Sequence, residues 1–265
     1  MRLLDLFSGI GAFSLGLRRA GMTPIAFVEI DPFCREVLGR HWPGVPIHHD
    51  VRDAEFPDAD VICGGFPCQD VSRAGKRAGI TAERSGLYRE LVRAFRMVRP
   101  RVAIVENVAA LLDDGMGDVL GDLAEGGNCV EWDCVPAKAI GAPHERDRVW
   151  IIAHTESDGR GPWRTGRPPD SFAWIRDATR WNAGHAYRAR LSEWEGERDD
   201  PREECQAAER ATLANVWQQK WPCEPALLGM DDGIADRVDR TRALGNSLVP
   251  QIPELIGRAI IEQNP

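Results

Sequence analysis

An apolar segment, a glycine-containing turn and an amphipathic helix follow one another at the start of the chain, and this order constrains the fold strongly. Residues 2–7 are predicted to form a buried strand, and Gly9 and Gly11 lie in the turn that follows. Apolar residues then recur at helical spacing up to residue 20. This unit is typical of nucleotide-binding α/β folds, where glycines let the backbone approach a ligand. Because tight turns need glycine anyway, the motif alone is weak evidence.

The same alternation continues along the first 154 residues. Short apolar segments that end at turns indicate further strands, and longer segments with helical spacing indicate helices between them. This order predicts an α/β fold with a mostly parallel, Rossmann-like sheet and helices on both faces. The predicted strands are 24–28, 47–51, 61–63, 102–105, 129–135 and 149–153, and the later predicted helices are 85–98, 116–126 and 252–261.

Acidic residues lie at the ends of three of these strands. Glu29 stands about 20 residues after the glycine turn, where a carboxylate can accept hydrogen bonds from a ribose. The alternative is a solvated acid at a helix start, since Asp31 and Pro32 resemble an N-cap and first helical residue. Asp50 is placed to meet an amino group of a base, although an exposed loop acid is the commoner case. Glu106 follows the strand 102–105.

A cysteine lies in the turn after the strand 61–63, in the segment GGFPCQDVS at 64–72. The carboxyl ends of parallel strands share one edge of a sheet, so Cys68 and Glu106 are expected to converge on one crevice. A lone cysteine is more often a buried thiol, and a nucleophile needs a partner acid or base elsewhere in the chain.

Two groups of cations flank this region. Arg146 and Arg148 stand two residues apart before a strand and should point to the same side. They are candidates to hold a carbonyl or a phosphate, or to pair with Glu145 and Asp147. The small and basic segment 72–84 is predicted to be a loop that closes over a polyanion; a surface loop with solvated charges is the alternative. Its candidate contacts to such a polyanion are Ser72, Arg73, Lys76, Arg77 and Arg84.

Composition limits the class of protein further. The net charge of -8 argues against a protein that is basic throughout, but a nucleic-acid ligand depends on local charge. No apolar run is long enough to span a membrane. The seven cysteines show neither paired metal-ligand spacing nor a disulfide framework, so we expect a cytoplasmic protein with free thiols and no metal.

The composition changes after His154. Residues 155 to about 226 are rich in Gly, Pro, Trp and charged residues and have little periodicity. We predict a first domain at 1–154, a separate small, irregular domain or long insertion at 155–238, and a C-terminal segment at 239–265 that returns to the first domain.

Taken together, these motifs resemble the DNA cytosine carbon-5 methyltransferase family. The matching elements cover nearly all of 1–154 and about the last 30 residues, and the compact chain resembles phage- or prophage-borne members. In family order they are DLFSGIGAFSLGL at 5–17, the strand end at Glu29, the pair at 50–51, GGFPCQDVS at 64–72, ENV at 106–108, the ERDR arginine pair, and ALGNSLVPQIPELIGRAI at 243–260.

The resemblance implies methylation of carbon 5 of a flipped-out cytosine in double-stranded DNA. It makes Cys68 the nucleophile that adds to carbon 6 and Glu106 the group that hydrogen-bonds nitrogen 3. Arg148 would bind oxygen 2 of the base, and Arg146 would support a loop or a phosphate.

The same resemblance implies S-adenosylmethionine as methyl donor, with S-adenosylhomocysteine as product. Glu29 would accept from the ribose hydroxyls and Asp50 from the adenine amino group. The other residues expected to line this pocket are Phe7, Gly9, Gly11, Ile30, Val51, Pro67, Asn246 and Ser247.

Some features stay open at this level. His144 stands where the family usually has Gln, so its part in orienting the two arginines is in doubt. RNA methylation and a non-catalytic DNA-binding role are alternatives; a redox enzyme would need a nicotinamide or flavin pattern beyond Gly-x-Gly. A monomer is expected, a cognate restriction endonuclease is a candidate partner, and the DNA sequence recognised is not disclosed.

Overall fold

The computed structural model describes residues 1–67, 86–113, 115–125, 128–142, 144, 146–155 and 237–262. By their contacts these residues belong to two units. The first contains 1–134, 148–155 and 237–262, and the second contains the described part of 135–147. The predicted small domain at 155–238 lies almost entirely outside the described residues, and its boundaries stay a prediction.

Strands and helices alternate in the first unit as the sequence predicts. The described strands are β1 (Arg2–Leu6), β2 (Thr23–Val28), β3 (Ile47–His48), β4 (Val61–Gly64), β5 (Val102–Val108), β6 (Cys129–Pro136) and β7 (Asp147–His154). The described α-helices are α1 (Ala12–Arg19), α2 (Pro32–His41), α3 (Gly86–Val98), α4 (Met116–Ala124), α5 (Arg237–Asn246) and α6 (Gln251–Glu262).

The described strands form one sheet in the order β3-β2-β1-β4-β5-β7-β6. β1 pairs in parallel with both β2 and β4, and β4 pairs in parallel with β5, whereas β7 runs antiparallel to β5. The chain order reverses between β1 and β4. Ligands of open α/β sheets bind at such a switch point, outside the carboxyl ends of the strands. The turns after β1 and β4 both lie at this place.

Helices cover both faces of the sheet, which explains why the strands are apolar without alternation. On one face Leu4, Leu6 and Ile62 pack with Ala94 of α3. On the other face Phe27 packs with Leu38 and Trp42 of α2. The sheet between them is therefore a rigid support for the turns at its edge.

Helix α6 brings the end of the chain back to α1. A Cβ atom at Gly16 of α1 would lie 2.2 Å from the Pro250 carbonyl oxygen, and one at Gly257 of α6 would lie 2.8 Å from the Cβ of Ala20. These close approaches require glycine. They fix the return of the C-terminal segment to the first unit.

The predicted α/β fold with a mostly parallel sheet is confirmed. One described helix was not predicted: α5, which ends at Asn246. Within 238–246 only Ala243 is buried, so the helix has no apolar stripe that periodicity could reveal. Among the described residues, no helix is long and apolar enough to cross a membrane.

Candidate active site

Glu106 and Arg148 meet at the carboxyl end of β5. Because β7 runs antiparallel to β5, with Glu106 opposite Trp150 and Val108 opposite Arg148, the arginine reaches back toward the glutamate. Arg148 Nε lies 2.8 Å from Glu106 Oε1, and the two side chains are 20% and 13% exposed. The sheet thus brings together two residues that the sequence separates by 42 positions and that we expected to contact one base.

The Glu106 carboxylate also lies against the turn after β4. A Cβ atom at Gly65 would be 2.9 Å from Glu106 Oε2, so the carboxylate occupies the space that a side chain would fill. Next to it, Asn107 Nδ2 donates to the Phe66 carbonyl oxygen at 3.2 Å. These contacts fix the backbone up to Pro67, one residue before Cys68.

Phe66 is also held by contacts with helix α3. Its ring packs against Tyr88 of α3, with ring centroids 5.1 Å apart. The Tyr88 hydroxyl in turn donates to Asp122 of α4 at 2.8 Å, and burial together with this carboxylate raises the pKa of Tyr88 well above its ordinary value. The tyrosine is therefore a neutral donor that connects two helices under the turn.

The glycine turn after β1 has three residues with a left-handed backbone conformation. Phe7, a non-glycine residue, has φ 55°, and Gly9 and Gly11 have φ 54° and 83°. At Gly11 a Cβ atom would lie 2.5 Å from the Trp42 ring, whereas at Gly9 it would meet nothing within 4 Å. The turn is packed tightly on its inner side and open beside Gly9.

Glu29 closes the other side of this turn. It is only 8% exposed. Its Oε2 accepts from the Gly9 backbone N–H at 2.6 Å, and its Oε1 accepts from the Asp31 N–H at 2.8 Å. Asp31 itself is the N-cap of α2 and accepts from the backbone N–H groups of Phe33 and Cys34, as predicted. The role of Glu29 toward a ribose stays a prediction. A carboxylate has about four acceptor positions, so Glu29 retains capacity for further donors.

Asp50 lies after β3, in a turn at the neighbouring strand end. Both of its oxygens bind the Arg52 guanidinium, with Arg52 Nε at 2.9 Å from Oδ1 and Nη2 at 2.5 Å from Oδ2. These hydrogen bonds hold the pKa of Asp50 below its ordinary value. The adjacent Val51 is buried in the core cluster that also contacts Phe7 and Leu87.

The predicted residues near the C-terminal return are placed differently from one another. Ile30 is 64% exposed beside Glu29. Asn246 ends α5 in an exposed position, and the half-buried Ser247 follows it. Helix α5 is joined to the Glu29 region by an ion pair of 2.7 Å between Arg242 and Asp31.

Beneath the glycine turn lies Asp5, a buried carboxyl group that the sequence analysis did not single out. Ser14 Oγ donates to its Oδ2 at 2.6 Å. Burial raises the pKa of Asp5 to about 7, against the lowering effect of hydrogen bonds from Ser14 and Cys63. This carboxyl group ties β1 to the first turn of α1 and so closes the base of the loop.

The remaining predicted residues fall in the second unit or outside the described part. Arg146 is half-buried, and its carbonyl oxygen accepts from Ala137 N–H at 3.2 Å; His144 is exposed. The roles assigned to these two residues stay predictions. Outside the described residues lie Cys68, Ser72, Arg73, Lys76, Arg77 and Arg84.

Sequence reasoning missed several residues that shape the site. Arg52 gave no sequence signal of its own, although it adjoins Val51, and Asn107 was noted only as part of the ENV motif. Asp5 was visible as an acid inside a predicted buried strand, an unusual position that could have marked it. Leu87 was recognised only as a core position of α3.

Comparison with known proteins supports the assignment that fold and site suggest. The chain has the Rossmann-like fold of S-adenosylmethionine-dependent methyltransferases. The family model of the C-5 cytosine-specific DNA methylases matches residues 1–202. The chain therefore belongs to this family.

Named relatives agree with the family. The type II methyltransferase M2.BsuMI of Bacillus subtilis (strain 168) is 36% identical over 167 residues, which are 60% of this chain and 43% of the relative. The type II methyltransferase M.CviJI of Paramecium bursaria Chlorella virus IL3A is 35% identical over 157 residues, 57% of this chain and 42% of the relative. The chain thus spans less than half the length of either protein.

Solved structures also match. A putative DNA modification methyltransferase encoded within a prophage of E. coli superimposes with a TM-score of 0.51 at 26% identity, over 59% of this chain and 47% of that chain. The S. pombe Dnmt2 methyltransferase superimposes with a TM-score of 0.61 at 15% identity, over 99% of this chain and 98% of that one. At that identity the second match concerns the fold alone.

Proposed function

We propose that this protein transfers a methyl group from S-adenosylmethionine to carbon 5 of a cytosine in double-stranded DNA. The observation that carries the proposal is the Glu106–Arg148 pair of 2.8 Å, set against the turn that leads to Cys68. A carboxyl and a guanidinium side by side match two neighbouring atoms of the pyrimidine edge, nitrogen 3 and oxygen 2.

The chemistry requires these groups because carbon 5 of cytosine is a poor nucleophile. Addition of the Cys68 thiolate to carbon 6 makes the ring enamine-like and places negative charge toward nitrogen 3 and oxygen 2. Glu106 hydrogen-bonds nitrogen 3 and Arg148 binds oxygen 2, which stabilises that charge. Carbon 5 then takes the methyl group, loses its proton, and the bond between Cys68 and carbon 6 breaks to restore the thiolate.

The residues at the ends of β1, β2 and β3 fit an adenosine-containing donor, whose sulfonium supplies the methyl group when bound. Glu29 offers acceptor positions for ribose hydroxyls, and the exposed Ile30 offers an apolar surface for the base. Asp50 offers an acceptor for the adenine amino group. The open space at Gly9 would take the amino-acid end of the molecule.

The target carbon is inaccessible inside a duplex, so the cytosine must leave the helix to meet Glu106 and Arg148. The cations of 72–84 are proposed to bind the phosphates on the DNA side. A cognate restriction endonuclease remains a candidate partner of the protein.

Methyl transfer from labelled S-adenosylmethionine to duplex DNA and to transfer RNA tests the proposal. We expect label on DNA, with bisulfite sequencing placing it at cytosines in one sequence context. Label on transfer RNA alone would overturn the DNA assignment.

The nucleophile has its own test. Duplex DNA that contains 5-fluorocytosine should trap the protein covalently, because fluorine cannot leave carbon 5 as a proton does. Cys68→Ala should abolish both the adduct and turnover while retaining cofactor binding, and Cys129→Ala, in the edge strand β6, is the control. If Cys68→Ala methylated DNA at the normal rate, another residue would be the nucleophile.

A further inference from the structure

The turn after β3 contains an arginine that the proposed mechanism does not use. Arg52 stands two residues after Asp50 and binds its carboxylate through three donors. The Arg52 backbone N–H lies 3.0 Å from Oδ1, Nε lies 2.9 Å from Oδ1, and Nη2 lies 2.5 Å from Oδ2. The carboxylate is therefore fixed in rotation as well as in position.

This arrangement limits what Asp50 can still accept. A carboxylate offers about four acceptor positions, two on each oxygen. The three Arg52 donors occupy three of these positions: the backbone N–H and Nε–H bind Oδ1, and Nη2 binds Oδ2. The Nε–H is shared, since it also donates to Oδ2 at 3.1 Å. One position remains, on Oδ2, and an ionised carboxylate cannot act as a donor.

A second arginine fixes the turn itself. Arg93 of α3 donates through Nη2 to the Val51 carbonyl oxygen at 2.7 Å and approaches that of Arg52 at 3.4 Å. Its guanidinium carbon lies 4.9 Å from the centre of the Phe56 ring, and its Nε donates to Glu90 at 2.5 Å. Since Val51 is buried, the turn is anchored on two sides, while the Arg52 side chain is 62% exposed.

We propose that Arg52 is a positioning residue that sets the base selectivity of the cofactor site, by holding Asp50 so that it presents a single acceptor. This inference rests on the proposed role of Asp50 toward the adenine amino group. A base with an amino group at carbon 6 can donate to the remaining position. A 6-oxo base presents a carbonyl oxygen there instead, and two acceptors would face each other.

Binding of S-adenosylhomocysteine and of its 6-oxo counterpart, S-inosylhomocysteine, by isothermal titration calorimetry tests the proposal. The wild-type protein should prefer the adenine compound. In Arg52→Ala we expect its affinity to fall by about two- to fivefold, the upper range for an exposed ion pair, with no measurable change for the 6-oxo compound. The ratio of the two affinities should therefore shrink.

Three further variants separate selectivity from general damage. Arg52→Lys should recover only part of the ratio, because an ammonium cannot bind both oxygens in a fork. The double variant Arg52→Ala/Asp50→Ala should show the same ratio of the two affinities as Asp50→Ala alone. Arg40→Ala, which removes an exposed arginine paired with Glu36 on α2, should leave both affinities unchanged.

Equal losses for both compounds in Arg52→Ala would overturn the proposal and make the arginine a structural residue only. An unchanged ratio in Asp50→Ala would instead remove Asp50 from the adenine site. Failure of the wild-type protein to bind either compound would contradict the proposed function itself and the inference with it.

Discussion

Two glutamates, Glu29 and Glu106, stand at the carboxyl ends of parallel strands in the same sheet, and they are held in different ways. Glu29 is fixed by backbone N–H groups of Gly9 and Asp31. Glu106 is fixed by the Arg148 side chain and by the absence of a side chain at Gly65.

The difference matches the two proposed tasks. A carboxylate held by backbone amides stays in place whatever its neighbours are, which suits a site that binds an unchanging cofactor. A carboxylate held by a side-chain ion pair can exchange that partner for the edge of a base. In the proposed mechanism, the residues around Glu29 therefore form a fixed cofactor site, and the Glu106–Arg148 ion pair opens to bind the base.

Replacement of Glu106 by Gln should impair the proposed chemistry on the base without affecting cofactor binding. Because a carboxyl group that stabilises charge in the transition state is lost, we expect turnover to fall by about 10²–10⁴-fold. Cofactor affinity, measured by calorimetry, should stay within twofold of wild type. A matched loss of cofactor affinity would show that the two sites are not separate.

The buried Asp5, beneath the glycine turn, should make the stability of the protein depend on pH. Burial raises its pKa from an ordinary value near 4 to about 7, so the folded state holds a proton that the unfolded chain releases between these values. Stability should therefore fall as pH rises from about 4 to 7 and level off above, by up to about 4 kcal/mol.

Urea unfolding of wild type and Asp5→Asn at pH 5 and pH 8 measures this effect. Because Asn does not titrate, the variant should gain stability relative to wild type as pH rises. A difference between the two proteins that is the same at both pH values would mean that Asp5 keeps an ordinary pKa.

Replacement of Glu29 by Ala tests the fixed cofactor site directly. It removes a charged acceptor, so cofactor affinity should weaken by roughly 1–3 kcal/mol. The glycine turn also loses a partner of Gly9 N–H, so the unfolding temperature should fall slightly. Glu36→Ala, an exposed acid on α2, is the control and should change neither quantity. Unchanged affinity in Glu29→Ala would remove this residue from the site.

Gly65→Ala should have the smallest effect on turnover, because it only displaces the Glu106 carboxylate and removes no functional group. The new methyl would lie 2.9 Å from Glu106 Oε2, so the carboxylate must move by a few tenths of an ångström. We expect turnover to fall by about tenfold, in line with the sensitivity of catalysis to small displacements. Gly117→Ala in α4, where a Cβ atom meets nothing within 4 Å, is the control and should leave turnover unchanged.

The sequence by itself determined the alternation of strands and helices, the strand ends that carry Glu29, Asp50 and Glu106, and the family. Local signals suffice for these: apolar runs, the Asp31 N-cap and motif spacing act over a few residues. Helix α5 was missed because most of its residues are exposed, leaving no apolar periodicity to detect.

The side-chain contacts within the candidate site are determined by the tertiary structure alone. Arg148 was predicted to face the site, but its pairing with Glu106 depends on the antiparallel register of β7 on β5, which no local pattern encodes. The clearance at Gly65 and the burial that raises the pKa of Asp5 likewise come from segments distant in the chain. Contacts of this kind arise from packing, since each depends on the position of a partner that local sequence does not specify.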